Sequence, residues 1–329
     1  MIISKAPLRI SLGGGGTDIP SYYEKYGGFL ISGAIDKHIY VGANQQFYNN
    51  YSLKYSKIEI VNQAHEIEHK LIREAIQFLD IQPGIEMTSL ADIPSKTGLG
   101  SSGAFLVALL NTLHQYKDEK VSQRQLAEEA CKIELDILKE HEGKQDKYTC
   151  SFGGIYGYEF REDGSVKVIP FIDEDIIRTT LEENLFLFFT GQKRKSLASE
   201  ILKNQNGKIK KEDKNMVEYM NEIKQIGLDT KIAFEERNFD FFGSLLHRHW
   251  IVKKKYSIHS TNESIDKYYD FALKRGAIGG KTIGAPGGGF LMFYHSGQTK
   301  DKWKFVDAME KAGLKHMPFK FDNKGVTTL

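Results

Sequence analysis

Three glycine-rich segments divide the chain and limit the folds that it can adopt. Four adjacent glycines occupy positions 13–16, three more lie among residues 98–103, and a third group spans 284–289. Glycine loses more conformational freedom on folding than other residues, so such runs mark tight turns or close backbone approach. Each segment borders a predicted strand or helix, and binding residues concentrate at such positions.

The segment Pro94–Gly103 runs directly into an apolar helix that begins near Ser102. Unpaired amides at a helix N-terminus and the helix dipole both favour an anion such as phosphate. The hydroxyls of Ser101 and Ser102 are placed to contact a phosphate-bound magnesium ion. Taken alone, the segment is also compatible with an ordinary capped helix that follows a loop.

Gly98, Gly100 and Gly103 also match the dinucleotide-binding pattern, which makes an NAD-dependent oxidoreductase an alternative. That pattern requires a strand that leads straight into the glycines. Here Ala91–Thr97 separates the glycines from the preceding strand, so the context disfavours a dehydrogenase.

Two other partial motif matches carry less weight. Gly280-Lys281-Thr282 resembles the end of a phosphate-binding P-loop, but Arg275 occupies the position of that pattern's first glycine. His65 and His69 have the spacing of a zinc-protease helix, although no convincing third ligand follows them. A solvated helix face is the simpler interpretation of these histidines.

Hydrophobic periodicity predicts an α+β chain. The predicted strands are Ile3–Leu12, Phe29–Asn44, Ile58–Val61, Ile85–Leu90, Ile155–Phe160, Val166–Pro170, Leu185–Phe189, Gly289–Tyr294 and Met317–Phe321. The predicted helices are Glu66–Leu79, Ser102–Tyr116, Ser122–Glu142 and Lys302–Ala312, with several amphipathic helices after the strand at 185–189. The apolar run that begins at 185 indicates a boundary near residue 182, between an N-terminal domain (1–182) and a C-terminal domain (183–329).

The charge balance is close to neutral, with 45 basic and 43 acidic residues in 329. A net charge of +2 gives no broad electrostatic reason to expect a nucleic-acid or membrane partner. The sequence has no apolar stretch of about 18 residues and no signal-peptide pattern, so we expect a cytoplasmic enzyme. Cys131 and Cys150 are too few for a disulfide framework or a four-thiolate zinc site.

The opening segment Ala6–Asp18 is a predicted strand that ends in the four glycines and an acid. We expect these glycines to approach a ligand closely and Asp18 to accept hydrogen bonds from sugar hydroxyls. The third segment, Gly284–Phe290, repeats this pattern before another strand. A tight turn is an alternative explanation for either segment taken alone.

In this order, the three segments resemble those of the GHMP kinase superfamily, named for galactokinase, homoserine kinase, mevalonate kinase and phosphomevalonate kinase. Within it, Arg9–Tyr23 is most similar to D-glycero-D-manno-heptose 7-phosphate kinases. The resemblance implies an N-terminal domain like domain 2 of ribosomal protein S5, a ferredoxin-like C-terminal domain and an active site between them. The residues that it implies for ATP are Pro94, Lys96, Thr97, Gly98, Leu99, Gly100, Ser101, Ser102 and Gly103. Glu134, with Ser102 or Ser101, matches the ligands of the family's magnesium ion.

The resemblance also implies the catalytic residues. Asp146 matches the family's catalytic aspartate, which accepts the proton of the attacking sugar hydroxyl or orients that hydroxyl. Arg9 matches the cationic position near it and offsets charge on the transferring phosphoryl group. We expect Lys144 and Lys147 to hold Asp146 in its ionised form.

The substrate side departs from the galactokinase pattern, in which a glutamate and a histidine occupy the positions of Gly15 and Gly16. The emptied space suits a longer sugar, so we expect heptose 7-phosphate to be phosphorylated on its anomeric hydroxyl. The expected substrate-binding residues are Gly14, Gly15, Gly16, Thr17, Asp18, Lys193, Arg194, Gly287 and Gly288. The basic run Lys193-Arg194-Lys195 is expected to bind the far phosphate, and a solvated loop is the alternative interpretation of it.

Other activities stay open at this point. A fucokinase, an N-acetylhexosamine 1-kinase, or a non-catalytic sensor that binds ATP and sugar on the same fold are the alternatives. The family implies that the product supplies a nucleotide-activated heptose for a bacterial surface polysaccharide, and it leaves a homodimer open.

Overall fold

This computed structural model describes residues 1–191, 198–256, 261–284 and 288–329. Its strands are β1 (Ile2–Gly13), β2 (Gly28–Gln45), β3 (Tyr51–Lys54), β4 (Ile58–Val61), β5 (Ile85–Ala91), β6 (Ile155–Phe160), β7 (Val166–Pro170), β8 (Leu185–Phe189), β9 (Gly279–Thr282), β10 (Phe290–Tyr294), β11 (Lys315–Met317) and β12 (Thr327–Thr328). Its helices are α1 (Pro20–Tyr26), α2 (Lys70–Phe78), α3 (Ser101–Tyr116), α4 (Gln123–Cys131), α5 (Gln145–Phe152), α6 (Glu174–Asn184), α7 (Ala198–Lys210), α8 (Lys214–Glu235), α9 (Phe239–Tyr256), α10 (Glu263–Lys274) and α11 (Thr299–Lys311). A π-helical turn, Lys132–Ile137, continues α4.

The first sheet is built around β1 and β2. Its strand order is β12-β1-β2-β5-β3-β4, and β6 pairs with the first third of β2 and with β7. From Ala6 to its end β1 is continuously buried, which is typical of a strand that is covered on both faces. Helices α3 and α8 pack against β1 and β2. The start of α3 therefore lies beside β1, where Arg9 N donates to the Leu99 carbonyl at 2.9 Å.

The second sheet has the order β11-β8-β10-β9, with antiparallel pairing between the described strands. Helices α7 to α10 lie between β8 and β9 in the chain, and α11 lies between β10 and β11. This is the β-α-β-β-α-β order of ferredoxin-like folds. One hydrophobic cluster contains Ile10 of the first sheet with Leu187 and Met292 of the second, so the two sheets share a core.

The predicted α+β class is confirmed, but several predicted elements differ in extent. The helix predicted at 66–79 covers Lys70–Phe78, and the helix predicted at 302–312 covers Thr299–Lys311. The helix predicted to reach Glu142 ends after the π-helical turn, because Lys139 adopts a φ of 56°. The last strand was predicted at 317–321, whereas β11 covers 315–317 and Phe321 forms an isolated bridge with Ile35. The boundary near 182 stays a prediction: the two sheets lie on either side of it in the chain, but β12 returns to the first sheet.

Candidate functional site

A cavity of about 750 Å³ opens where β1, α3, α5, α9 and β9 meet. The sequence-predicted site residues in its lining are Arg9, Gly15, Gly16, Asp18, Lys96, Gly98, Gly100, Ser101, Ser102 and Asp146. Those that lie outside the lining are Gly14, Thr17, Pro94, Thr97, Leu99, Gly103, Glu134 and Gly288. Lys193, Arg194, Lys195 and Gly287 fall outside the described residues.

The loop of residues 94–103 turns into α3 at Gly100. Gly98 and Gly100 have φ values of 95° and 78°, in the left-handed region that favours glycine. Helix α3 begins at Ser101, and the Gly100 carbonyl accepts from Ala104 N at 3.0 Å. The amides of a first helical turn have no acceptor within the helix. Because Ser101 and Ser102 line the cavity, this turn can bind an anion there.

The remaining residues of the 94–103 loop support it from behind. Leu99 is fully buried in the hydrophobic core. Thr97 Oγ1 donates to the Pro94 carbonyl at 3.2 Å. Gly103 faces α5, where a Cβ on it would lie 2.6 Å from the Cβ of Asp146. These four residues, expected to contact ATP, therefore hold the shape of the loop and its distance from α5.

Arg9 and Asp146 form an ion pair in the lining of the cavity. Arg9 Nε donates to Asp146 Oδ1 at 2.6 Å, and Arg9 Nη1 donates to the Gly98 carbonyl at 2.5 Å. Burial opposes the charged guanidinium, but the Asp146 carboxylate outweighs it and raises the pKa of Arg9. Lys144 and Lys147, expected as the partners of Asp146, form their contacts elsewhere. Arg9 thus ties β1 to both α5 and the 94–103 loop.

Asp18 fixes the start of α5, the helix that carries Asp146. Asp18 Oδ2 accepts from Gln145 N at 2.8 Å, and Oδ1 accepts from Gly16 N at 3.2 Å. Burial raises the pKa of Asp18, and the Gln145 amide opposes that rise. Asp18 lines the cavity as expected, but both of its oxygens already accept backbone amides.

Ser102 and Glu134, the expected metal ligands, contact each other. Ser102 Oγ donates to Glu134 Oε1 at 3.1 Å, and Glu134 Oε2 pairs with Lys147. Glu134 lies in the π-helical turn after α4 and is 3% exposed. Burial opposes the charge on Lys147, but the Glu134 carboxylate outweighs it and raises the pKa of Lys147.

This donor set fits a magnesium ion. Mg²⁺ prefers oxygen ligands, and it is commonly held by one or two carboxylates together with substrate phosphates. Among the described residues, no group of three or more His, Cys, Asp or Glu side chains could hold a metal. Ser102 and Glu134 therefore suit an ion whose other ligands are phosphate oxygens and water.

Protein packing accounts for two of the four glycines in the first segment. A Cβ on Gly13 would lie 2.5 Å from Thr230 Oγ1, and one on Gly14 would collide with the Phe29 carbonyl. Thr17 is fully buried, and its hydroxyl donates to the Gly14 carbonyl at 2.9 Å. Gly14 and Thr17 were expected to bind substrate, whereas the structure gives them contacts within a turn.

Gly15 and Gly16 do line the cavity, but they differ in the space beside them. A Cβ on Gly15 would collide with Ser11 Oγ, so Ser11 fills part of the space that the sequence suggested was empty. A Cβ on Gly16 would come no closer than 3.8 Å to another atom, the Cε of Met220. A Cβ on Gly16 would therefore be in ordinary van der Waals contact with the side chains of Met220 and Gln205.

The described end of the third segment packs against the 94–103 loop. A Cβ on Gly289 would collide with the Thr97 carbonyl, and Gly289 has a φ of 88°. Thr190 N donates to the Gly289 carbonyl at 3.0 Å. The close approach of two glycine segments thus holds β10 beside the start of α3.

Sequence reasoning missed the part of the lining that α9 and β9 supply. His249 and Lys253 lie one turn apart on α9, Lys281 lies on β9, and all three line the cavity. Lys281 Nζ lies 3.4 Å from His249 Nδ1. One signal was present in the sequence, because Lys281 belongs to the P-loop match that was set aside.

An apolar arm of the cavity was also missed. Its lining consists of Tyr55, His69, Leu71, Leu90 and Phe105. The ring centroid of His69 lies 4.8 Å from that of Tyr55 and 5.2 Å from that of Phe105. Burial lowers the pKa of His69, which favours a neutral ring. His65 lies in a separate short 3₁₀ turn and His69 caps α2, so the two do not form the single-helix zinc motif.

Glu142 adds a carboxyl group that the sequence did not single out. It lines the cavity, and burial raises its pKa to about 8. Lys147 opposes this rise, while the Glu134, Asp146 and Asp18 carboxylates add to it. A neutral carboxyl can both donate and accept hydrogen bonds, as sugar hydroxyls require.

Known protein families match the region of the chain that contains much of the candidate site. The family model for the GHMP kinases N terminal domain matches residues 69–154, which include the 94–103 loop, Glu134 and Asp146. The D-glycero-alpha-D-manno-heptose 7-phosphate kinase of Campylobacter jejuni is 29% identical over 99% of this chain and 98% of its own length. The bifunctional fucokinase/GDP-fucose pyrophosphorylase of Arabidopsis thaliana is 22% identical over 90% of this chain and 30% of its own length.

Among solved structures, one described as a D-glycero-D-manno-heptose 1-phosphate kinase from Bacteroides thetaiotaomicron matches with a TM-score of 0.81. It is 26% identical, and the match covers 100% of this chain and 99% of that chain. In the part of the chain that the structure describes, no helix is long and apolar enough to cross a membrane.

Proposed function

We propose that this chain, which belongs to the GHMP kinase superfamily, phosphorylates D-glycero-D-manno-heptose 7-phosphate on its anomeric hydroxyl. It is a phosphotransferase with an alcohol group as acceptor, and ATP is the phosphate donor in its family. The product of the proposed reaction is the 1,7-bisphosphate.

One arrangement carries the proposal: the 94–103 loop, the Arg9–Asp146 pair and Gly16 line the same cavity. A Cβ on Gly100 would lie 3.2 Å from the Cγ of Asp146, so the anion-binding turn and the carboxylate are neighbours. A carboxylate beside bound phosphates can orient an acceptor hydroxyl or accept its proton. The Arg9 guanidinium holds that carboxylate in place and adds positive charge where negative charge develops.

Ser102 and Glu134 are the residues that would hold magnesium, through the hydroxyl and the carboxylate oxygen that now contact each other. When bound, the ion neutralises charge on the phosphates. Lys147 pairs with the other oxygen of Glu134, so this buried carboxylate has a cationic partner.

The apolar arm suits the base of the nucleotide. Its aromatic and aliphatic side chains offer flat surfaces on which a purine can stack, and the neutral ring of His69 adds a hydrogen-bonding nitrogen. Phe105 belongs to α3, so a nucleotide with its base here has its phosphates near the first turn of the same helix.

The acceptor side of the cavity offers polar groups to a sugar. Gly15 and Gly16 line it without side chains, and Asp18, Glu142 and Gln145 belong to the same lining. The Campylobacter relative is named for a 7-phosphate substrate, whereas the Bacteroides structure is named for a 1-phosphate. The position of phosphorylation is therefore part of the test.

The test incubates the protein with ATP, MgCl₂ and a panel of acceptors. The panel contains heptose 7-phosphate, heptose 1-phosphate, fucose, galactose and an N-acetylhexosamine. ADP release measures turnover, and ³¹P NMR locates the new phosphate. We expect preferred turnover of heptose 7-phosphate, with a new anomeric phosphate signal.

Two results would replace the proposal. Efficient phosphorylation of fucose, galactose or the N-acetylhexosamine with neither heptose phosphate accepted would reassign the substrate. Binding of ATP without turnover of any acceptor would favour the non-catalytic sensor.

The cellular setting of the proposed reaction follows from the family resemblance. We expect a cytoplasmic enzyme whose product supplies a nucleotide-activated heptose for a bacterial surface polysaccharide. The homodimer stays a prediction, and light scattering of the purified protein measures it.

A further inference from the structure

The basic side chain of Lys281 lies in the lining of the cavity and has no role in the proposed binding of ATP or magnesium or in the role proposed for Asp146. Lys281 is 2% exposed and lines the cavity, with His249 Nδ1 at 3.4 Å from its Nζ. Within the described residues, no carboxylate forms an ion pair with Lys281. Lys253 Nζ donates to the carbonyls of Thr282 and Gly284, at 3.2 and 2.6 Å, and so fixes the backbone that follows Lys281.

The charged form of Lys281 is disfavoured where this side chain lies, because the surroundings are almost closed to water. Burial, followed by the charges of Lys253 and Arg9, holds the pKa of Lys281 well below its ordinary value. Burial and the two lysines likewise hold the pKa of His249 well below its ordinary value. An ammonium group that is removed from water without an opposite charge is costly. The cost is relieved when an anion enters the cavity beside Lys281.

We propose that Lys281 and His249 form an oxyanion site for a phosphate group that a substrate carries into the cavity. A bound phosphate favours the ammonium form of Lys281, which then supplies positive charge and donor N–H groups, and Lys253 fixes the backbone that follows Lys281. The inference deepens the proposed function and rests on it for the molecule that carries the phosphate.

The position of the site relates it to the reaction. Lys281 and the Arg9–Asp146 pair line the same cavity, and the charge of Arg9 contributes to the lowered pKa of Lys281. Two phosphate groups can therefore occupy it: the group in transfer from ATP, and the phosphate that the sugar already carries. Both have the same chemistry toward an ammonium donor.

Lys281→Met removes the charge and keeps an unbranched apolar side chain of similar length. The binding test titrates inorganic phosphate into protein saturated with Mg·ADP and measures the heat of binding. We expect wild-type protein to bind phosphate, and the variant to bind it about tenfold or more weakly, the effect of losing one charged hydrogen bond. The matched control is Lys255→Met on exposed α9 surface, which is expected to leave the affinity within about twofold.

The melting temperature separates a binding role from a structural one. Since Lys281→Met removes a buried ionisable group that has no anionic partner among the described residues, we expect the variant to melt at or above the wild-type temperature. If Lys281→Met melts at a lower temperature, the phosphate affinity of Lys281→Arg is measured, because this variant keeps a basic side chain. An affinity restored toward that of wild type supports the proposed site, and an affinity as weak as that of Lys281→Met overturns it. A phosphate affinity of Lys281→Met equal to that of Lys255→Met overturns it in any case.

Kinetics with heptose 7-phosphate then identify the occupant. A KM raised about tenfold with kcat retained assigns the site to the sugar's own phosphate, and a lowered kcat with KM retained assigns it to the group in transfer. Either result supports the inference, and kinetic constants equal to those of Lys255→Met contradict it. If no heptose phosphate is turned over, the proposed function fails, while the titration with inorganic phosphate still decides the site.

Discussion

A Cβ placed on Gly103 would lie 2.6 Å from the Cβ of Asp146. The first turn of α3 and the first turn of α5 therefore meet at a point where α3 has no side chain. One glycine inside a helix sets the distance between the proposed phosphate-binding turn and the proposed catalytic carboxylate.

Gly103→Ala should lower kcat by about tenfold or more, because a shift of about 1 Å in a reacting group is enough for losses of this size. The affinity for ATP should change far less, since the first-turn amides remain. Steady-state kinetics and nucleotide titration measure the two effects. Gly207→Ala on α7 is the control, because a Cβ there meets nothing within 4 Å. Equal kcat values for the two variants would show that Gly103 does not set this distance.

Arg9→Lys should lose most of the turnover even though it keeps the charge. The guanidinium of Arg9 contacts Asp146 and the Gly98 carbonyl at once, and an ammonium group cannot reproduce that fork. We expect kcat to fall by about a hundredfold, in line with the loss of a preorganised charge stabiliser. Arg237→Lys, in an exposed pair with Asp173, should behave like wild type. Wild-type activity in Arg9→Lys would show that only the positive charge of Arg9 is needed, and not its two simultaneous contacts.

Ser102→Ala should raise the magnesium concentration needed for half-maximal activity, because Ser102 is the serine that contacts Glu134. Ser101→Ala should change it less. A titration of activity with MgCl₂ at fixed ATP distinguishes the two serines, and chelation with EDTA should abolish turnover in all three proteins. The opposite order of effects would assign the metal to Ser101.

Ionisation of Glu142 should lower the free energy of unfolding as the pH rises. Its pKa is raised from an ordinary 4.5 to about 8. Its favourable contribution to the free energy of unfolding is therefore complete below pH 4.5 and is lost as the pH rises to about 8. Glu142→Gln cannot ionise. Its free energy of unfolding should therefore increase relative to wild type from pH 5 to pH 8 and level off above that. Urea unfolding of both proteins across this range measures the difference, and a constant difference would mean that Glu142 titrates normally.

The segments that carry the proposed chemistry were predictable because their signals are local. A glycine-rich loop before an apolar run predicts a helix with an anion-binding start, and α3 begins within one residue of the predicted position. Strands such as 155–160 and 185–189 were predicted with their observed bounds, since their apolar runs are short and sharply limited.

Features that depend on distant contacts could not be predicted in this way. The eight residues of α5 have weak periodicity, and their first turn is held by Asp18, which is 127 positions away from Gln145. The packing of Gly13 against Thr230 and of Gly14 against Phe29 could not be predicted, because these partners are remote in the sequence. The P-loop match that contains Lys281 was set aside because of Arg275, and nothing local in the sequence shows that β9 packs against α9.

The substitution Asp146→Asn tests the central claim most directly, because it keeps the shape of the side chain and removes its charge. Turnover with the accepted sugar and the dissociation constant for ATP should be measured on the same preparation. The proposed mechanism predicts that kcat falls by about a hundredfold or more while the dissociation constant stays within about threefold. Turnover equal to wild type would contradict it and would remove Asp146 from the reaction.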